Sequence, residues 1–151
     1  MSKRFTQLVT ECAQLIGFKT PQITDGFYAL LIDDIRVLIE PTETGTPRES
    51  LYFCSHIGEV PEHNRKRVTD YILEKNADTQ FTGAASVGVL PEKNTIAVFQ
   101  LLPPMVDRPE LMLNELNRFV DISERVKHAV ENIIDESPVS SDKALNHMLS
   151  V

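Results

Sequence analysis

The sequence has few of the residues that stabilise small secreted or metal-bound domains. Its 151 residues include two cysteines, six glycines and no tryptophan. Two cysteines are too few for a disulfide framework, and a domain of this length can bury a sizeable core without one. No apolar stretch approaches the roughly 18 residues of a membrane helix, and the amino terminus lacks the apolar run of a signal peptide. We therefore expect a cytoplasmic protein without a membrane partner.

Positive charge is also scarce. The chain carries 15 Lys and Arg against 22 Asp and Glu, which gives a formal net charge of -7. Nucleic-acid binding requires a clustered basic surface, and the one basic run covers only residues 65–67, so we expect no nucleic-acid partner. The hydrophobic content of 42% is too high for a disordered chain. The composition predicts a single acidic globular domain.

Three segments are predicted to be helices. Residues 2–16 and 108–135 have apolar side chains at helical spacing, and Gly17 is a suitable stop for the first. Residues 61–76 predict a shorter helix whose first half is fully polar. This short, half-polar helix leaves Tyr71 and Ile72 in need of a partner, so it is a candidate seam between two subunits, with core packing as the alternative.

Five apolar segments are predicted to be strands, and they cover residues 27–32, 35–39, 51–57, 82–90 and 95–102. Asp33 and Asp34 join the first two as a hairpin, which requires the second Asp to tolerate a positive φ. The element order α-β-β-β-α-β-β-α predicts an α+β domain over residues 1–136, with a twisted antiparallel sheet packed with helices. Residues 137–151 are polar, and we expect a frayed tail or a short helix there.

Motifs for catalysis or metal binding are largely missing. Cys54 and His56 alternate on one predicted strand face, and such a pair can activate a thiolate. No oxyanion glycine or nucleophile elbow accompanies them, so two side chains of a partly buried strand are the better interpretation. The histidines lack the spacing of zinc ligands, and no glycine-rich phosphate loop follows a strand. We expect no catalytic residue, no metal and no cofactor.

Several local patterns follow one another in a characteristic order. They are the helix end Leu15-Ile16-Gly17, the hairpin at residues 27–39 with its acidic turn, the strand at residues 51–57 before Gly58 and Pro61, residues 71–77 ending in Asn76 and Ala77, and the hairpin at residues 83–102 before Pro103. Residues 71–77 are similar to the Leu-Leu-x-x-Asn that closes the second helix of one family. Over residues 2–135 the chain resembles that family, the class I or Tir-chaperone-like chaperones of bacterial type III secretion.

The resemblance implies a cytoplasmic bacterial homodimer that binds the amino-terminal segment of a secreted effector in extended form. It implies neither ATP use nor catalysis. Residues 27–32 and 35–39 are apolar at most positions, so one strand face can pack on the core while the other binds the client. The client-binding residues that we expect are Phe5, Leu8, Val9 and Cys12 on the first helix, with Phe27, Ala29, Leu31, Arg36 and Leu38 on the hairpin.

The second helix and the strand after it are expected to form the dimer interface. The residues assigned to it are Val68, Tyr71, Ile72, Ala84 and Ser86. Core packing is the alternative for the apolar residues of both helices. A protein-binding adaptor of the same fold outside secretion, and a small cysteine-dependent enzyme, are the alternative functions. The residues leave open whether the tail 137–151 contacts a client, the export ATPase or neither.

Overall fold

A computed structural model of the chain describes residues 3–19, 22–24, 27–42 and 50–136. Its helices and strands are, in chain order, α1 (Lys3–Leu15), β1 (Gln22–Thr24), β2 (Phe27–Ile32), β3 (Ile35–Thr42), β4 (Ser50–Glu59), α2 (Arg65–Asn76), α3 (Thr79–Thr82), β5 (Ser86–Leu90), β6 (Thr95–Leu101) and α4 (Pro109–Asp135). The predicted α+β class is confirmed. The short elements β1 and α3 are additions to the predicted order, and the tail 137–151 lies outside the described residues.

Within the described residues, six strands form one sheet in the order β1-β2-β3-β4-β6-β5. Every neighbouring pair is antiparallel, as the sequence predicts. In this part of the chain the edges of the sheet are therefore β1 and β5, while β3 and β4 lie in the middle. Asp33 and Asp34 join β2 to β3 with φ angles of 48° and 67°. Two successive positive φ angles are the geometry of the tight hairpin turn that the acidic pair predicts.

One face of the sheet packs against the helices. Leu30, Val37 and Phe53 point to this side from β2, β3 and β4, and all are at most 1% exposed. Phe119 of α4 meets Phe53 with 5.5 Å between ring centroids. Helix α1 packs in turn on α4. Because α1 and α4 lie together on this side, the core is a single layer between helices and sheet.

Helix ends follow the expected backbone chemistry. Gly17 stops α1 with a φ of 91°, and the Phe18 amide donates to the Ala13 carbonyl at 3.0 Å. The predicted strand 82–90 begins only at Ser86, because the preceding residues form α3. Asp78 caps α3 by accepting a hydrogen bond from the Gln80 amide at 3.1 Å. A local cap of this kind competes with strand formation in a segment of small residues.

The acidic turn provides a direct test of the hairpin. Asp34→Gly should stabilise the fold by about 0.5–1 kcal/mol, because glycine adopts a positive φ without steric cost. Urea unfolding followed by circular dichroism measures the change. The control is Asp121→Gly on the exposed side of α4, which should destabilise by about 1 kcal/mol because glycine weakens helix interiors. Equal effects of the two substitutions would contradict the turn geometry.

Candidate functional site

The other face of the sheet has no helix packed over it within the described residues. We call it the open face, and its members include Phe27, Ala29, Leu31, Arg36, Leu38, Tyr52, Cys54, His56, Ser86, Phe99 and Leu101. Strand register brings them together, because Leu38 lies opposite Cys54 and Cys54 opposite Phe99. Leu31 is 60% exposed and Leu101 is 51% exposed. Large apolar side chains left uncovered on one sheet face are typical of an interaction surface.

Aromatic rings form the middle of the open face. Tyr52 of β4 and Phe99 of β6 stack with 6.2 Å between centroids and an interplanar angle of 26°. Arg36 is exposed on the same face of β3, and Glu40 lies further along that strand. The face is therefore largely apolar, with Arg36 near the hairpin turn and Glu40 toward the other end of β3. Such a surface suits an extended peptide whose side chains alternate between apolar and polar.

The structure brings five of the nine predicted client residues together. Phe27, Ala29, Leu31, Arg36 and Leu38 fall on the open face through the alternation of β2 and β3. The other four belong to α1, which packs with α4 on the opposite side of the sheet: Leu8, Val9 and Cys12 are at most 5% exposed, and Phe5 packs partly buried against the core. The two groups therefore do not line one continuous groove.

The predicted seam residues also divide into two groups. Val68 and Ile72 are 0% and 4% exposed within their own chain, where they anchor α2 to the core. Tyr71 is partly buried, with its ring edge-on to Phe81 at 6.2 Å. Ala84 and Ser86 are exposed, as a seam requires.

Sequence reasoning did not assign several apolar residues that are exposed or only partly buried. Tyr52, Phe99 and Leu101 belong to the open face, and Leu73 is 66% exposed on α2. The alternation of apolar residues in the third and fifth predicted strands was a signal for the first three. Leu73 lies off the main apolar stripe of its helix, and that position was the signal for its exposure.

Cys54 and His56 share one face of β4, as the sequence predicts, and this is the open face. The Cys54 thiol is nevertheless poorly suited to nucleophilic chemistry. Burial, with a smaller contribution from the Glu40 carboxylate, raises the Cys54 pKa to about 11. At neutral pH roughly one such thiol in ten thousand is ionised, and the thiolate is the nucleophile. The environment of Cys54 therefore favours a packing role for its side chain.

Among residues 3–19, 22–24, 27–42 and 50–136, no group of three or more His, Cys, Asp or Glu side chains is placed to hold a metal ion. In the same residues no helix has the length and apolar content that crossing a bilayer requires.

Comparison with known proteins places the chain in a family. Its residues 7–127 match the Tir chaperone protein (CesT) family. The chain belongs to this family. The match spans from the middle of α1 to the last third of α4 and so includes the whole sheet. The resemblance predicted from the sequence is confirmed, and the family consists of chaperones. No curated protein matches the sequence individually.

Solved structures share the fold of this CesT-family chain. A chain of the ExsC–ExsE complex aligns with a TM-score of 0.68 and 14% identity, covering 86% of this chain and 96% of that one. A chain of the HopA1–SchA chaperone–effector complex gives 0.61 and 10%, covering 83% and 94%. A chain of the ExoU–SpcU complex from the type III secretion system of Pseudomonas aeruginosa gives 0.60 and 17%, covering 85% and 98%. At these identities the likeness concerns the fold alone.

The reactivity of Cys54 tests its protonation state. The pKa of Cys54 is raised from its ordinary value of 9.0, so the thiol of the folded chain stays mostly protonated at pH values somewhat above 9. We expect iodoacetamide to alkylate Cys54 at pH 8.5 at least tenfold more slowly than the same residue in urea-unfolded protein. The rate should keep rising as the pH approaches 11. Peptide mapping by mass spectrometry separates Cys54 from Cys12, and a rate that levels off below pH 9 would contradict this assignment.

Proposed function

We propose that this chain is a type III secretion chaperone that binds the amino-terminal region of a cognate effector in extended form. In this role it keeps the effector soluble and competent for export in the bacterial cytoplasm. The family match over residues 7–127 carries the proposal. The HopA1–SchA structure, described as a chaperone–effector complex, has the same fold and supports it. Effector binding needs neither a catalytic residue nor a cofactor.

The open face provides the physical basis for client binding. An extended peptide presents alternate side chains to a sheet, and Leu31, Leu38 and Phe99 offer apolar partners for them. Ordering an unfolded segment costs conformational entropy, so the client needs a large contact area to bind. A face that extends across β2, β3, β4 and β6 can supply such an area. The net charge of -7 helps to keep a chain with this apolar surface soluble.

We further propose that the chain acts as a homodimer through α2, the segment before β5 and the first residue of β5. Leu73, Ala84 and Ser86 are exposed in these segments and contact the second copy in this proposal. Buried Val68 and Ile72 hold α2 against the core of their own chain. In this proposal they support the seam without contacting the second copy. Residues 1–136 form the folding unit in this proposal, and the tail 137–151 is separate from it.

The function is tested by identifying and reconstituting the client. A tagged chain is recovered from its native cells, and mass spectrometry identifies the co-purifying protein. The purified amino-terminal fragment of that protein is then titrated by calorimetry without nucleotide. We expect a tight complex in which the fragment remains unfolded. Failure of the fragment to bind in the absence of any other protein would contradict the proposal.

A substitution on the open face locates the client surface. Leu31→Asp should weaken binding of the effector fragment at least tenfold, because it places a charge where an apolar side chain docks. The melting temperature should stay nearly unchanged, since Leu31 is 60% exposed. Met105→Asp is the matched control, because Met105 is 77% exposed in the loop between β6 and α4. Equal affinities of the two variants would remove the open face as the client site.

A second substitution tests the dimer seam. Leu73→Asp should convert the dimer to a folded monomer, because an unpaired charge in an interface is costly. Sedimentation velocity measures the mass, and circular dichroism checks the fold. Ile72→Asp is not informative here, because Ile72 is only 4% exposed within its own chain and the variant would unfold. A Leu73→Asp protein that still sediments as a dimer would exclude this seam.

A further inference from the structure

Among the strands that the structure describes, β5 is an edge of the sheet, and it lacks the usual protection. Edge strands expose backbone groups that can pair with another chain, and proteins block them with charged residues, proline or bulges. The β5 sequence Ser-Val-Gly-Val-Leu contains neither a charge nor a proline. Val89 is only partly buried and Leu90 is 39% exposed. A short apolar edge of this kind requires another feature to keep it from pairing.

The side chain of Asn76 provides that feature. Its Nδ2 donates to the Val87 carbonyl at 2.7 Å, and the Val87 amide donates to its Oδ1 at 2.9 Å. A residue in an antiparallel strand exchanges the same pair of bonds with the residue directly opposite. The carboxamide of Asn76 thus occupies the position that the backbone of an added strand would take.

The start of the edge is bonded within the chain as well. The Ala85 amide donates to the Thr82 carbonyl of α3 at 3.0 Å. Ala85 immediately precedes β5, and Val87 lies within it. The amide just before the strand is therefore bonded to α3, and the Val87 backbone is bonded to the end of α2.

Asn76 is held in place by the packing of α2. It is the last residue of that helix, and the preceding turns are anchored by buried Val68 and Ile72. Near the same end, the Lys75 ammonium lies 5.8 Å from the Tyr71 ring centre and 5.3 Å from that of Phe81. The Phe81 carbonyl also accepts a hydrogen bond from Arg125 of α4 at 3.1 Å. These contacts fix the end of α2 beside β5.

We propose that Asn76 is a specificity-determining residue that closes the β5 edge to strand addition. The strand that it excludes is β5 of a second copy of this chain, which has the same short apolar sequence. A dimer seam near α2 must then form by side-chain packing, without a continuous sheet. The inference goes beyond the proposed function and does not depend on the client, because its test requires only this chain.

The experiment compares Asn76→Ala with the unaltered chain. Alanine is a good helix former, so α2 should persist while both bonds to Val87 are lost. At low protein concentration we expect the Val87 amide to exchange with deuterium at least tenfold faster. At high concentration sedimentation should show species larger than those of the unaltered chain. In these species Val87 should regain protection, because a second copy supplies the missing bonds.

Two further variants complete the design. Asn76→Asp keeps an acceptor for the Val87 amide but has no donor for the Val87 carbonyl. Its Val87 exchange rate and its self-association should therefore fall between those of the unaltered chain and of Asn76→Ala. It also provides the comparison if Asn76→Ala does not fold. Asn117→Ala, at an exposed asparagine of α4, should behave like the unaltered chain.

Three results would overturn the proposal. The first is normal Val87 protection in Asn76→Ala, which would mean that the side chain does not cap the edge. The second is fast exchange without self-association at any concentration, which would give Asn76 a purely local role. The third is a larger species in which Val87 stays unprotected, because the copies would then meet through another surface.

Discussion

The structure depends on the packing of one long helix across the middle of a sheet. Helix α4 has 27 residues, which corresponds to a length of about 40 Å at the usual rise per residue. Its Phe119 meets Phe53 of β4, and both side chains are fully buried. Helix α1 adds its buried stripe to the same layer by packing on α4. The buried apolar stripes of α1 and α4 therefore both lie on one side of the sheet.

This arrangement leaves the second face of the sheet to other chains. A two-layer domain buries one face of the sheet against the helices and leaves the other face uncovered. The strands nevertheless carry apolar side chains on their other side. Leu31 and Leu101 are exposed there, and Tyr52 is only partly buried. In an enzyme or a purely structural domain such residues would be a liability for aggregation. In the proposed chaperone role they would form the contact surface for a client, and the acidic net charge opposes unspecific association.

Most of the fold could be predicted because its signals are local. Helical spacing, the Asp33-Asp34 turn and the stop at Gly17 each depend on a few neighbouring residues. Strand β1 was missed because three residues show no periodicity, and their pairing is supplied by β2. The site was predictable only in part for a related reason. Alternation in β2 identified Leu31, but spacing alone could not show that Val9 and Cys12 of α1 would be covered by α4.

Asn76 shows the same limit of prediction from sequence. It was visible in the sequence as the end of a family-like pattern, yet its bonds to Val87 depend on the way the chain turns through α3. A sheet with an open apolar face presents two different means of binding, side-chain contact on the face and backbone pairing at the edges. Backbone pairing is indifferent to sequence, so a free edge would accept almost any extended chain. Closing one edge with a single carboxamide leaves recognition there to the side chains of the open face, and these can distinguish a client from a second copy.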